Sequence, residues 1–180
     1  MNIPPHQPSQ ASPTLEPLYT PEQRLRRDTS YWTVVQGLLA PIQFLVFLVS
    51  VVLVVNFLNN GTGYAAATVS VVCKTALLLL IMVTGAIWEK VVFGQYLFAK
   101  PFYWEDMVSM VVIALHCAYV AAWLFDLAGP QQQMWLALAA YGAYVVNAAQ
   151  FLIKFSAARR DGQEANASPG HNGNWAGAIE

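Results

Sequence analysis

Charge is scarce in this chain. Of its 180 residues only 11% are Asp, Glu, Lys or Arg, against roughly 25% in an average soluble domain. The net charge of −1 identifies no partner, and no nucleic-acid partner is expected. Cysteine is scarcer still. Cys73 and Cys117 lie deep in apolar sequence, where a disulfide framework of the secreted type cannot form and a lone thiol behaves as a small apolar group. Residues 1–30 contain no apolar h-region, so no cleavable signal peptide is expected and the first apolar run must itself direct insertion. There is no zinc-ligand spacing, P-loop, GxGxxG or nucleophile elbow. His116 and Cys117 are adjacent, but neighbouring helical residues point about 100° apart, so they make no metal site. Neither a protein-held metal nor a cofactor is expected.

Apolar residues, by contrast, make up 57% of the chain. They concentrate in four runs, Trp32–Leu58, Ala65–Trp88, Met107–Phe125 and Gln132–Phe155. About 20 residues of helix cross a hydrocarbon core of roughly 30 Å, and backbone amides in lipid must be satisfied within their own segment. The expected fold is therefore all-α, an integral membrane four-helix bundle with spans at about 32–58, 65–88, 105–127 and 132–155. One domain covers 21–160, between tails at 1–20 and 161–180 whose polar, Pro- and Gly-rich composition predicts disorder. Thr20-Pro21-Glu22-Gln23 predicts a capped helix start, opening a short amphipathic surface helix over Glu22–Ser30. Eight of the nine Lys and Arg residues fall on one side of the spans, and the ninth, Lys74, lies inside one. The positive-inside rule then puts both termini and the Glu89–Asp106 connector in the cytoplasm.

Three spans carry a polar stripe. Asp106, Ser109, Ile113 and His116 share one arc of the third. Gln36, Gln43 and Ser50 repeat every seven residues along the first, and Asn147, Gln150 and Lys154 line one face of the fourth. Turned inward, these stripes predict a polar-lined cleft open to the cytoplasm. Lys74 and His116 each lie ten residues from the opposite surface, ~15 Å deep at about 1.5 Å per residue. A charged group at that depth costs at least ~2.5–3.5 kcal/mol on insertion scales and needs a reason. The plain reason is structural: His116, Gln36, Gln43 and Asn147 bond neighbouring helices, and Lys74 pairs or snorkels within the bundle.

The densest chemistry lies in Thr84–Asp106, at the membrane surface. It holds three carboxylates (Glu89, Glu105, Asp106), two lysines (Lys90, Lys100) and seven aromatic rings. A plain connector needs a few polar, Gly or Pro residues. Acids and rings at the hydrocarbon boundary predict a pocket for something flat, greasy and chemically addressable. The plainer alternatives are surface ion pairs to Lys90 and Lys100, worth only ~0–1 kcal/mol, and an interfacial aromatic belt.

Several strings are more specific. They are Leu18-Tyr19-Thr20-Pro21-Glu22-Gln23-Arg24 and the Val35-Gln36-Gly37, Ala40-Pro41 and Gln43-Phe44 set. Met82 through Gly94, Tyr96-Leu97-Phe98-Ala99, Phe102 through Met110 and Ala114-Leu115-His116 follow. Over roughly Leu18–Ala158 the chain resembles the 3-vinyl (bacterio)chlorophyllide hydratases. The resemblance implies a membrane enzyme of bacteriochlorophyll synthesis in a bacterial inner (cytoplasmic or intracytoplasmic) membrane. It implies addition of water across the C3-vinyl group of chlorophyllide a or a related (bacterio)chlorophyllide, giving the 3-(1-hydroxyethyl) product. The implied partners are that pigment, water and the lipid bilayer, and no redox cofactor is implied.

Site roles follow from chemistry rather than from the resemblance. Hydration of a vinyl group on a conjugated macrocycle favours protonation of the terminal carbon, with positive charge developing on the ring-bound carbon. The protein must supply a protonated acid, a carboxylate and a positioned water; burial and a second carboxylate keep a carboxylic acid protonated. Glu89 is the expected donor, Asp106 the base or cation-stabilising partner, and Glu105 the reserve. His116 is a candidate ligand of the substrate's magnesium, and Lys90 or Lys100 would meet its propionate. Trp88, Phe93, Phe102, Tyr103 and Trp104 would hold the ring faces, with Gln36 and Gln43 lining the cleft. Two rivals use the same residues: a non-catalytic pigment carrier or assembly factor, and a small four-span transporter with Lys74 and His116 as coupling residues. The second calls for paired half-repeats, and none is visible in the sequence.

Overall fold

A computed structural model describes residues 18–167, with side-chain surroundings described to Arg160. Most of the two expected tails lies outside the described residues. Those residues form five helices and no strand: α1 Pro21–Thr29, α2 Tyr31–Asn60, α3 Tyr64–Phe93, α4 Tyr103–Leu124 and α5 Pro130–Ala167. α2 to α5 are each long and apolar enough to cross a membrane, which makes this a multi-pass membrane protein.

The helix boundaries follow from local chemistry. The Thr20 hydroxyl accepts the Gln23 N–H at 3.3 Å, and Gln23 Oε1 accepts the Thr20 N–H at 2.9 Å, closing the expected capping box around Pro21. Ser30 then serves as the joint between α1 and α2, its hydroxyl accepting the Trp32 N–H. Gly61 and Gly63 turn the chain from α2 into α3 at positive φ, where a side chain would be strained. α2 runs through Pro41 without ending; the proline removes one backbone donor and the helix continues.

α2 packs most extensively on α3 and α4 on α5; smaller α2–α5 and α3–α4 contacts close the ring, and α1 lies against α3. Side-chain hydrogen bonds set the register. Gln36 Nε2 donates to Thr84 Oγ1 at 2.7 Å, and Ser50 meets Ser70 at 2.7 Å, with the same stretch of helix between the two contacts on each antiparallel partner. Asn147 Nδ2 donates to Ser109 Oγ at 2.8 Å and so aligns α5 with α4. The central core contains Phe47, Val54, Val71, Leu78, Val112 and Tyr141. A second cluster of Tyr19, Trp88, Val92, Phe102 and Ala158 sits at the end that carries α1. The outer faces are apolar and exposed, and Cys73 and Cys117 look outward with them.

The three polar stripes do turn inward, but their side chains are closed off from the surface rather than lining an open cleft. Gln43, Lys74, Ser109, His116 and Asn147 are all buried. Helices bearing Ala137, Ala140 and Ser50 at their contacts approach closely, and Phe47 of α2 packs on Tyr141 and Tyr144 of α5.

Candidate active site

The last turn of α3 and the first turn of α4 meet at the α1 end of the bundle and bring the three acids together. Glu89, Glu105 and Asp106 are only 6%, 8% and 3% exposed, so none is a surface group. Their surroundings differ. Glu105 is held by Lys154 of α5, whose ammonium donates to both carboxylate oxygens at 2.9 and 2.8 Å. The expected ion-pair partners Lys90 and Lys100 are exposed, and Lys90 donates to the Gly94 carbonyl at 2.7 Å.

Glu89 and Asp106 are neighbours, because they accept from two consecutive N–H groups of the same connector. Each also anchors the connector between α3 and α4. The Phe98 N–H donates to Asp106 Oδ2 at 2.7 Å, and the Ala99 N–H donates to Glu89 Oε2 at 3.2 Å. Phe98 sits at φ 59°, a left-handed conformation costing a non-glycine residue roughly 1–2 kcal/mol; the bond to Asp106 offsets that strain. Two neighbouring buried carboxylates repel, and a proton held between them relieves the repulsion.

Beside the acids lies an aromatic nest. Trp88, Phe93 and Phe102 are mutually 5.7–5.8 Å apart between ring centroids. Phe102 also contacts Phe151 and Phe155, at 6.1 and 5.8 Å. Tyr19, carried by the segment before α1, stacks on Phe93 at 5.7 Å with 16° between the planes. The Arg27 guanidinium lies 4.8 Å from the Tyr19 ring centre. Burial pushes the Tyr19 hydroxyl up to about 12, opposed in part by Arg27. Trp88 is fixed by its indole N–H, which donates to Thr33 Oγ1 at 2.9 Å.

Of the residues singled out in the sequence, Glu89, Glu105, Asp106, Trp88, Phe93 and Phe102 converge here. Tyr103 and Trp104 are exposed and pair with each other outside the nest. Gln36 is committed to Thr84, and Gln43 is buried deeper along α2. His116 is fully buried, its Nδ1 bonded to the Val112 carbonyl at 2.8 Å, and ten residues along α4 put it ~15 Å from Asp106. Among the described residues no three His, Cys, Asp or Glu side chains form a metal-holding group.

Sequence reasoning missed Tyr19, Phe151, Phe155 and the pairing of Lys154 with Glu105. Phe151 and Phe155 are four residues apart and flank Lys154, a signal that the inward stripe of this span ends in an aromatic face. For Tyr19 the only signal was an apolar pair just outside a helix cap.

The family model for 2-vinyl bacteriochlorophyllide hydratase matches residues 19–157, a stretch that begins at Tyr19 and contains every acid and ring of the nest. The chain is 60% identical over 151 residues to the 2-vinyl bacteriochlorophyllide hydratase of Rhodobacter capsulatus, covering 84% of this chain and 88% of the relative. It is 62% identical over 144 residues to the protein of the same name from Cereibacter sphaeroides, covering 80% and 89%. No solved structure matches it. A buried acid pair roofed by a connector and walled by aromatic rings lies wholly within the matched stretch, and the chain belongs to the 2-vinyl bacteriochlorophyllide hydratase family.

Proposed function

We propose that this protein hydrates the C3-vinyl group of chlorophyllide a or a closely related (bacterio)chlorophyllide, with the Glu89–Asp106 pair as proton donor and acceptor. The observation that carries the reading is the convergence of two buried carboxyl groups on consecutive N–H groups of one connector, beside an aromatic nest. A proton shared by the pair passes from Glu89 to the terminal vinyl carbon, forming a C–H bond as the π bond breaks. The remaining negative charge lies next to the cation developing on the ring-bound carbon. Water attacks that carbon, and its surplus proton returns to the pair through Asp106. The sum is substrate plus one water, and the protein ends as it began. Glu105, bound on both oxygens by Lys154, has no free role in the transfer and holds α5 against α4.

Trp88, Phe93 and Phe102 offer faces to the macrocycle, and Tyr19 occupies the stacking position on Phe93 that a flat ring would take. His116 does not hold the magnesium of a substrate whose vinyl group is at the acid pair. At ~15 Å from Asp106 along α4 it is farther away than the magnesium of a tetrapyrrole is from its own peripheral vinyl group. Eight basic residues around the acid end support a cytoplasmic placement of that end in a bacterial inner membrane.

The test is conversion of chlorophyllide a by membranes containing the protein, read as a product heavier by one water and labelled from H₂¹⁸O. Glu89→Gln and Asp106→Asn are each expected to lower the rate by roughly 10²–10⁴-fold. Full turnover by both would end the carboxyl mechanism. One observation favours a carrier instead: both acids already hold connector N–H groups. That reading predicts pigment binding by the wild type with no mass change.

A further inference from the structure

Eight buried side-chain polar atoms among the described residues have no hydrogen-bond partner, and five of them form a series: Gln150 Oε1, Asn147 Oδ1, Gln43 Oε1, Lys74 Nζ and His116 Nε2. Contacts between the helices fix their order. Gln150 lies on α5 between Lys154, which holds Glu105, and Asn147, which meets Ser109. Gln43 falls midway along α2 between the Gln36–Thr84 and Ser50–Ser70 contacts. Lys74 Nζ sits 3.6 Å from the centre of the Tyr144 ring, one turn beyond Asn147. The His116 ring is 5.8 Å from Tyr141, the next step inward, where the Tyr141 hydroxyl meets Ser50. Successive steps are about one helical turn, ~5.4 Å, and the series starts beside the acid pair.

Gln43, Lys74, His116 and Asn147 are at least nine-tenths buried, in a bundle whose outside faces lipid. Polar groups there need partners more than anywhere else. Their chemistry narrows the partner. Three are amide oxygens, which accept only; Lys74 donates only; and His116 Nε2, with Nδ1 donating to Val112, is an acceptor. An anion would suit Lys74 and repel the three oxygens. A metal ion would suit the oxygens and repel the ammonium. Water donates and accepts, and buried water typically makes about three hydrogen bonds to groups of this kind.

We infer that this series is an internal water-binding site, a file of ordered waters running from His116 to the Glu89–Asp106 pair. Its use as the store of reactant water rests on the hydratase reading: a greasy pigment seated in the aromatic nest shuts off solvent from outside, while water from within still reaches the acids.

Hydroxyl-radical footprinting by pulsed X-rays on the full chain in lipid nanodiscs, without pigment and after rapid mixing with H₂¹⁸O, tests this. Radicals made from a bound water oxidise the side chain next to it despite burial, and slow exchange leaves ¹⁶O in the product. His116 and Tyr144 are expected to be oxidised and to retain ¹⁶O. Oxidation at neither residue above the unirradiated sample overturns the proposal. The wild type decides this by itself, so a variant that fails to fold leaves the test intact. In a folded Gln43→Leu/Asn147→Leu protein the His116 signal is expected to be lost, and its retention at full yield would also overturn the file. Because no turnover is involved, a dry interior in a protein that still hydrates chlorophyllide removes the water file alone. Labelling in a protein that hydrates nothing removes the catalytic reading alone.

Discussion

Glu105 and Glu89 are the same residue type at the same end of the bundle, yet their partners give them different work. Glu105 has an ammonium on both oxygens; Glu89 has a backbone N–H and another carboxyl group. Removing Lys154 therefore leaves a buried carboxylate alone. Breaking a fully buried pair costs ~3–5 kcal/mol. Because the Lys154 side chain is 25% exposed, Lys154→Met is expected to cost about 1–3 kcal/mol instead. Adding Glu105→Gln to it should restore most of that loss in detergent unfolding; no restoration would mean the two side chains are not coupled. Tyr19 makes a second prediction. Docked, its hydroxyl keeps its proton up to about 12 rather than 10.0. A group whose pKa is raised in the docked state loses that docking as pH climbs through the raised value. Docking of the N-terminal segment is thus at full strength below pH 10 and weakens towards 12. Alkaline difference spectra of the wild type and Tyr19→Phe should differ by one tyrosinate step near the upper value, and a step near the lower one would show Tyr19 free in solution.

Among the elements, the connector between α3 and α4 is the one tied directly to the proposed acid pair. It leaves α3 through Gly94 at φ 88° and passes Phe98 at φ 59°, and it has no partner strand or helix of its own. Its conformation depends on the two N–H bonds to Asp106 and Glu89. Asp106→Ala should therefore speed protease cleavage within residues 95–101 by at least severalfold, while Asp106→Asn, which retains an acceptor oxygen, should do so much less. Equal cleavage in both would mean the acid does not hold the loop. This is also where the sequence was half legible. Acids and rings between two apolar runs marked Thr84–Asp106 as a site, because neither is needed in a bare turn. Which acid met which partner was not legible, since Lys154 lies 49 residues from Glu105 and only the closing of the helix ring brings them together. Tyr103 and Trp104 read the same as Phe102 by composition. Their places around α4 separate them, one ring turned inward and two outward.

For the whole molecule, the apolar runs and their length carried the four spans almost unaided, because lipid leaves the backbone few alternatives. The helices extend beyond several of the expected ends, as α3 does to Phe93, since hydropathy marks the hydrocarbon and not the end of hydrogen bonding. The inward stripes were legible too, but their meaning was not. Periodicity shows that polar groups face inside without showing whether they meet one another or need a guest. Where they do meet, the energies are small. Ser50→Ala, which removes contacts to Ser70 and Tyr141, is expected to cost about 0.6 kcal/mol and no more than ~1.7 kcal/mol in bicelle unfolding. A larger loss would mean that Ser50 supports more than its two partners.

Cys73 and Cys117 are the only thiols in the chain, one on each of α3 and α4, and both are exposed on the apolar outer surface of a membrane-spanning helix. The unaltered protein therefore comes with two spectroscopic handles on its lipid side. A spin label or fluorophore there reports how closely neighbouring copies crowd in the bilayer, with no residue of the interior disturbed.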